Sequence, residues 1–269
     1  KAMKFCKNLQ NSINLSNPEW TPFWVNYKML KKVIKEIQDP TVRPLTVIKS
    51  DTNKNNTETN NNSSRNSSNS SIPPPINEGS KGPVTPKAPS MIGHSPGEVT
   101  FFKLLRAELN KSCTFFDRAI VEFDIRHSRI KSAMSYCSKP GSLMVQDRWS
   151  QLAKALYRFY KDLLMLENYA IMTFCAFSKI LKKHDKNTGF KTRGAFMTNI
   201  VATSNFADYP SVTQMISSTR SLYSSVALKL EVEGAGDLHR DERLFIDMIS
   251  KLNRQASDIN EEETADIRQ

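Results

Sequence analysis

The sequence is poor in the residues on which most catalytic sites depend. It has four histidines, four cysteines and nine glycines in 269 residues. It contains no glycine-rich phosphate loop, no His-Glu-Xaa-Xaa-His and no Cys-Xaa-Xaa-Cys, and no nucleophile elbow that would place a serine in a triad. We therefore predict that the chain is not an enzyme, binds no metal ion and uses no cofactor.

Cysteine usage and hydropathy indicate where the protein works. The cysteines are Cys6, Cys113, Cys137 and Cys175. None has metal-ligand spacing, which is typical of reduced thiols in a cytosolic protein. The most apolar stretch, Leu163 to Leu181, contains Glu167, Asn168 and Lys179, and this argues against a membrane span. The predicted location is the cytoplasm, or the cytosolic side of a membrane protein.

The apolar pattern predicts an all-α fold. No period-2 run of β-branched residues persists, whereas apolar steps of three and four recur from Phe102 to Met134 and from Val145 to Leu181. Each helix would be about 55–60 Å long at 1.5 Å per residue. Pro140-Gly141 separates them, and so short a connection forces the two long helices to pack antiparallel.

Shorter helices are predicted on both sides of this pair. An amphipathic segment from Lys4 to Ile13 precedes a helix that Asn17 caps, that starts at Pro18 and that ends before Pro40. Together they form an N-terminal helical hairpin packed on the bundle. The shorter C-terminal helices are predicted at about 194–202, at about 211–228 and after a capping Asp237.

Composition divides the chain into four predicted segments. They are the hairpin (1–45), an Asn/Ser/Pro-rich insert (46–95), the long-helix core (96–228) and an acidic helical extension (229–269). The insert has too few apolar side chains to offset its ordering entropy, so it is predicted to be disordered.

Charge is distributed unevenly along the chain. The net charge is +11, but Glu231 to Gln269 carries five Lys or Arg against eleven Asp or Glu, a net −6, which leaves +17 on the preceding residues. A basic body predicts an anionic partner: nucleic acid, an acidic membrane or a polyphosphate-like small molecule. The acidic end is predicted to dock reversibly near the basic region and to compete with that partner.

Four lysines near the end of the second long helix form the densest basic group. On a helix, Lys179, Lys182, Lys183 and Lys186 fall within a wedge of roughly 100°, with no carboxylate inside it. One or two of them could serve only the helix macrodipole, an interaction worth about 0.3–1 kcal/mol. Four repel one another unless a polyanion neutralises them, so the wedge predicts an anion-binding face.

The hairpin offers a second basic group. Tyr27 and Lys31 are one helical turn apart, with Lys28 beside them, and Lys4 lies near the start of the first helix. Tyr27 is either a core tyrosine or one whose hydroxyl reaches outward to donate to a phosphate oxygen. These residues form one surface with the four lysines only if the hairpin packs against the end of the second long helix.

Five sequence blocks together resemble the SPX domain family. They are Met3-Lys4-Phe5, Pro18-Glu19-Trp20, Asn26 to Lys32, Phe101 to Lys111, and Phe177 to Thr188. The blocks occur in the family's order, and the resemblance spans residues 3 to about 225. It implies a helical hairpin at one end of a long-helix core. It also implies binding of inositol polyphosphates, above all inositol pyrophosphates, as reporters of cellular phosphate status.

The resemblance implies roles for individual residues. Tyr27, Lys31 and Lys183 correspond to a phosphate-binding cluster, and Lys4, Lys179, Lys182 and Lys186 correspond to the lysine surface around it. We add Lys28 as a ligand-binding candidate from its place beside Tyr27. The implied partners are inositol polyphosphates and a protein partner or a fused transporter or enzyme module, with no nucleic acid and with a membrane only through that module.

Two other functions stay open on the residues alone. A peripheral membrane module would bind anionic lipid head groups, and apolar residues exposed among the lysines would favour it. A coiled-coil adaptor would use the long helices to bind partner helices, although such helices more often pack on one another within the chain.

We expect the insert to be dispensable. Replacing Ser50 to Ser95 by a short Gly/Ser linker should leave the melting temperature and the ligand affinity nearly unchanged, because long loops add closure entropy only logarithmically. Thermal unfolding and calorimetry of the two forms make the comparison. A large fall in either quantity would show that the segment is structural.

Overall fold

The computed structural model describes residues 5–38, 95–139, 145–232 and 240–268. Within these residues every regular element is a helix, which confirms the predicted all-α class. The α-helices are α1 (Phe5–Leu15), α2 (Tyr27–Gln38), α3 (Pro96–Cys137), α4 (Val145–Thr188), α5 (Arg193–Asn199), α6 (Pro210–Val232) and α7 (Arg240–Arg268). Short 3₁₀ helices span Pro18–Phe23 and Val201–Thr203.

The two long helices pack antiparallel, as predicted. The Phe123 ring of α3 lies 5.7 Å from the Phe159 ring of α4, and the Phe101 ring lies 4.6 Å from the His184 ring. Residue numbers therefore decrease along α3 in the same direction in which they increase along α4. With 42 and 44 residues, the helices are about 63 and 66 Å long, slightly longer than predicted.

Helix α4 is the centre of the bundle. Helices α1, α2, α3, α5, α6 and α7 all pack on it. By length and composition α4 could cross a membrane, but 83% of its most apolar window is buried inside the protein. Leu163, Leu166 and Leu181 are fully buried. The apolar length of α4 thus matches its role as the helix around which the others pack.

The prediction of one continuous helix from Pro18 to Pro40 is wrong. Asn17 caps a helix as predicted, with its side chain accepting from the backbone N of Glu19 at 3.0 Å, but the chain is extended at Trp24. A second cap then forms, because Asn26 Oδ1 accepts from the backbone N of Met29 at 3.1 Å. The hairpin therefore consists of α1, a 3₁₀ helix and α2.

Several predictions fall outside the described residues. They concern the insert, nearly all of which lies in the range 39–94, the Lys4 side chain, and Asp237 as the cap of the last helix. The four-segment division of the chain stays a prediction.

Candidate anion-binding site

Two side chains from α3 fix the place where α2 begins. Glu108 Oε2 accepts from the backbone N of Asn26 at 2.8 Å. Lys111 Nζ donates to the backbone O of Trp24 at 3.0 Å and to Glu108 Oε2 at 2.6 Å. These bonds hold the extended residues between the 3₁₀ helix and α2. As a result, Tyr27 is the first residue of α2.

Tyr27 joins the starts of α1 and α2. Its side chain is buried, and its ring meets the Phe5 ring edge to face with 5.1 Å between the centroids. The Lys31 ammonium lies 6.0 Å from the centroid of the Tyr27 ring, at the limit of a cation–π contact. The Tyr27 ring therefore packs in the core, and Lys31 lies one turn further along α2.

The chain enters α2 at the level of Tyr169 in α4. The Trp24 ring lies 4.7 Å from the Tyr169 ring, and the Tyr169 hydroxyl donates to the backbone O of Phe23 at 3.0 Å. Because α2 has 12 residues, it extends about 18 Å from this point.

The other end of α2 lies near the end of α4. Ile37 packs so closely on Gly97 of α3 that a Cβ on Gly97 would sit 3.0 Å from Ile37 Cγ1. The next residue, Glu98, bonds His184 of α4. Helix α2 therefore runs parallel to α4, and Lys31, in the middle of α2, lies alongside the stretch of α4 that ends at His184.

That stretch carries the four predicted lysines on the face that the core leaves open. Lys179 and Lys183 are half-buried, whereas Lys182 and Lys186 are exposed. Leu181, on the opposite face, is fully buried. The structure thus places these lysines on the part of α4 along which α2 runs.

Helix α1 begins beside a cavity that it shares with α4 and α7. Phe5 and Cys175 line the same cavity between α1, α4 and α7, and Cys175 lies one turn before Lys179 on the same side of α4. Lys4, just before Phe5, lies outside the described residues.

Lys28 lies in the first turn of α2 and lines a cavity that Tyr27 also lines. It is exposed, and Lys111 of α3 and Gln10 of α1 line the same cavity of about 280 Å³. The structure thus places Lys28 near Lys111, at the start of α2.

The one carboxylate within the lysine stretch faces away from it. Asp185 Oδ2 accepts from the backbone N atoms of Thr192 and Arg193, both at 2.9 Å, and Oδ1 accepts from the Thr192 hydroxyl at 2.6 Å. Burial alone would raise the pKa of Asp185, but the hydrogen bonds from Thr192, Arg193 and His184 outweigh it and hold the pKa below its usual value. Asp185 therefore fixes the start of α5 and does not neutralise the lysines.

His184 is a structural residue to which sequence reasoning gave no role. It is fully buried, with Nε2 at 2.9 and 3.1 Å from the two Glu98 oxygens and Nδ1 at 3.1 Å from Asp185 Oδ1. Its ring stacks on Phe101. These contacts tie the start of α3 to the end of α4 and so orient the lysine face. No group of three His, Cys, Asp or Glu in the described part of the chain could hold a metal ion.

Lys182 is engaged by the acidic end of the chain. Its Nζ lies 2.7 Å from Asp266 Oδ2 in α7, and the same oxygen lies 2.7 Å from Arg193 Nη1. Hydrogen bonds from Lys182 and Arg193 lower the pKa of Asp266 to about 2. Docking of the acidic end near the lysines agrees with the sequence prediction, whereas Asp266 and Arg193 themselves were missed. The net −6 of this segment was the only signal for Asp266, and no sequence feature singled out Arg193.

Comparison with known proteins assigns the family. The family profile of the SPX domain matches residues 3–136 and 131–200. Because these ranges cover most of the chain, the chain belongs to the SPX domain family.

Two Arabidopsis thaliana relatives carry the same domain in their names. SPX domain-containing protein 2 is 28% identical over 201 residues, and SPX domain-containing protein 1 is 27% identical over 200. Each match covers 74% of this chain, but only 58% and 62% of the respective relative. The chain thus spans less than two thirds of the length of these relatives.

A solved structure shares the fold. It is the SPX domain of Chaetomium thermophilum glycerophosphodiester phosphodiesterase 1 in complex with inositol hexakisphosphate. The TM-score is 0.53 at 19% sequence identity, and the match covers 83% of this chain and 99% of the other. The likeness shows that the arrangement of helices is that of an SPX domain.

Proposed function

We propose that this chain is a non-catalytic sensor domain that binds an inositol polyphosphate or pyrophosphate. In this proposal it acts in the cytoplasm and reports phosphate supply to an attached module or a partner protein. The observation that carries the proposal is that α2, which bears Lys31, runs along the α4 stretch that bears Lys179 and Lys183. The Chaetomium thermophilum relative, solved with inositol hexakisphosphate, supports the same ligand class.

The chemistry of the site suits a compact ligand with several phosphate groups. Lysine ammonium groups act as point charges that adapt to several phosphates without a fixed fork geometry. The buried side of α4 holds their backbone in place, while Lys182 and Lys186 stay exposed to solvent. Because salt screens exposed charges, the affinity should fall as ionic strength rises.

Calorimetry of the chain with inositol hexakisphosphate tests the proposal. We expect binding at low salt that weakens with added NaCl, and far weaker binding of orthophosphate, because orthophosphate engages only a fraction of the lysines. Flotation with vesicles that contain phosphatidylinositol phosphates tests the membrane alternative. Stronger binding to vesicles than to the soluble ligand, or no binding of inositol hexakisphosphate at low salt, would contradict the proposal.

A further inference from the structure

Asp266 places a carboxylate where an anionic ligand would bind. One oxygen, Oδ2, lies 2.7 Å from both Lys182 Nζ and Arg193 Nη1. The two cationic groups are therefore no more than twice 2.7 Å apart and converge on one point. The Asp266 side chain is 48% exposed, so this point is open to solvent and to a dissolved anion.

The core fixes the direction of the Arg193 guanidinium. Arg193 is buried, and its Nε and Nη2 donate to Ser178 Oγ at 3.3 and 3.0 Å. Its backbone N donates to Asp185 Oδ2. The bonds to Ser178 and Asp185 therefore hold the guanidinium in place without the help of Asp266. They direct its Nη1 group towards the point beside Lys182 that Asp266 Oδ2 occupies. A guanidinium fixed in this way loses little conformational entropy when it binds an anion.

The end of α7 that carries Asp266 is packed more weakly than its start. Ile246 and Ile249 are 8% and 1% exposed, whereas none of the described α7 side chains after Ala256 is buried. Segments with few buried apolar contacts open at low free energy. Separation of the last turns of α7 would therefore expose only partly buried apolar side chains, Ile259 and Ile267, which pack on the edge of the core.

We propose that Lys182 and Arg193 form a further phosphate subsite of the lysine surface, which Asp266 occupies in the absence of ligand. This inference rests on the proposed function, and it adds Arg193 to the binding residues. A phosphate group carries more charge than a carboxylate and pairs well with an arginine fork, so it displaces Asp266. Ligand binding then releases the last turns of α7.

Asp266→Asn, with Asp258→Asn as a matched control, tests the inference. Asp258 is an exposed carboxylate on the same helix, so both variants remove one negative charge. Calorimetry with inositol hexakisphosphate at low salt should show about two- to fivefold tighter binding for Asp266→Asn, the range expected for one exposed ion pair. Asp258→Asn should bind like the wild type.

Hydrogen exchange gives a second measurement. Inositol hexakisphosphate should speed exchange of amides at 262–268 in the wild type, but not at 246–252. In Asp266→Asn, amides 262–268 should already exchange faster without ligand. Equal affinities of the two variants, or unchanged exchange at 262–268, would overturn the inference, and wild-type binding would leave the proposed function standing. No binding by the wild type or either variant would overturn both.

Discussion

The double variant Lys31→Ala, Lys183→Ala should lose most of its affinity for inositol hexakisphosphate. The two ammonium groups come from α2 and from the stretch of α4 that runs alongside it. Hydrogen bonds between charged groups are worth about 1–3 kcal/mol each. If the two losses add, binding weakens by about 2–6 kcal/mol, which is roughly 30-fold to 10⁴-fold. Calorimetry under the same salt conditions as for the wild type measures the loss.

A matched control distinguishes loss of the site from a general loss of positive charge. Lys154 is an exposed lysine of the same helix α4, 25 positions before Lys179, so Lys154→Ala removes equal charge about 38 Å away. The affinity of Lys154→Ala for inositol hexakisphosphate should stay close to that of the wild type.

Tyr27→Phe should weaken binding less than either lysine change, because it removes one neutral donor. Equal binding by the wild type and the double variant, with both folded by circular dichroism, would refute the site.

His184→Ala should cause the largest loss of stability. The change removes a fully buried ring that stacks on Phe101 and leaves the Glu98 carboxylate, 3% exposed, without its imidazole partner. Breaking a buried pair in this way costs about 3–5 kcal/mol. Urea unfolding monitored by circular dichroism should show the lower free energy of unfolding.

Two further variants identify the source of this loss. Glu122→Ala, an exposed change on α3, should leave the stability within about 0.5 kcal/mol of the wild type. The double change Glu98→Ala, His184→Ala should cost less than the two single losses added together, because neither group is then left alone. Strict additivity, or a loss below about 1 kcal/mol for His184→Ala, would show that the pair does not hold α3 to α4.

The parts of the structure that sequence could predict are those set by local pattern. Apolar steps of three and four place α3 and α4 correctly, because helix periodicity is a property of neighbouring residues. The lysine wedge follows from the same geometry, since four positions on one helix have fixed mutual angles. Lys179, Lys182, Lys183 and Lys186 could thus be assigned to one face before any tertiary contact was known.

The parts that sequence could not predict depend on distant partners. The break before α2 is held by Glu108 and Lys111, which lie 82 and 87 positions away from the atoms that they bind. Asp266 reaches Lys182 across 84 positions, and no local pattern selects it from the other acidic residues of its segment. Such pairings arise only when the helices pack, so charge totals indicated the docking but not the residue.

The hydrogen bond from Tyr169 to Phe23 spans 146 positions and has a consequence for synthesis on the ribosome. The N-terminal hairpin leaves the ribosome first, but Trp24, Leu30 and Ile34 are buried only in the finished bundle. At about 5–20 residues per second, the chain up to the end of α4 takes roughly 7–30 s longer to appear. For that interval the nascent hairpin exposes its apolar face, so we expect it to be prone to aggregation until α4 is made.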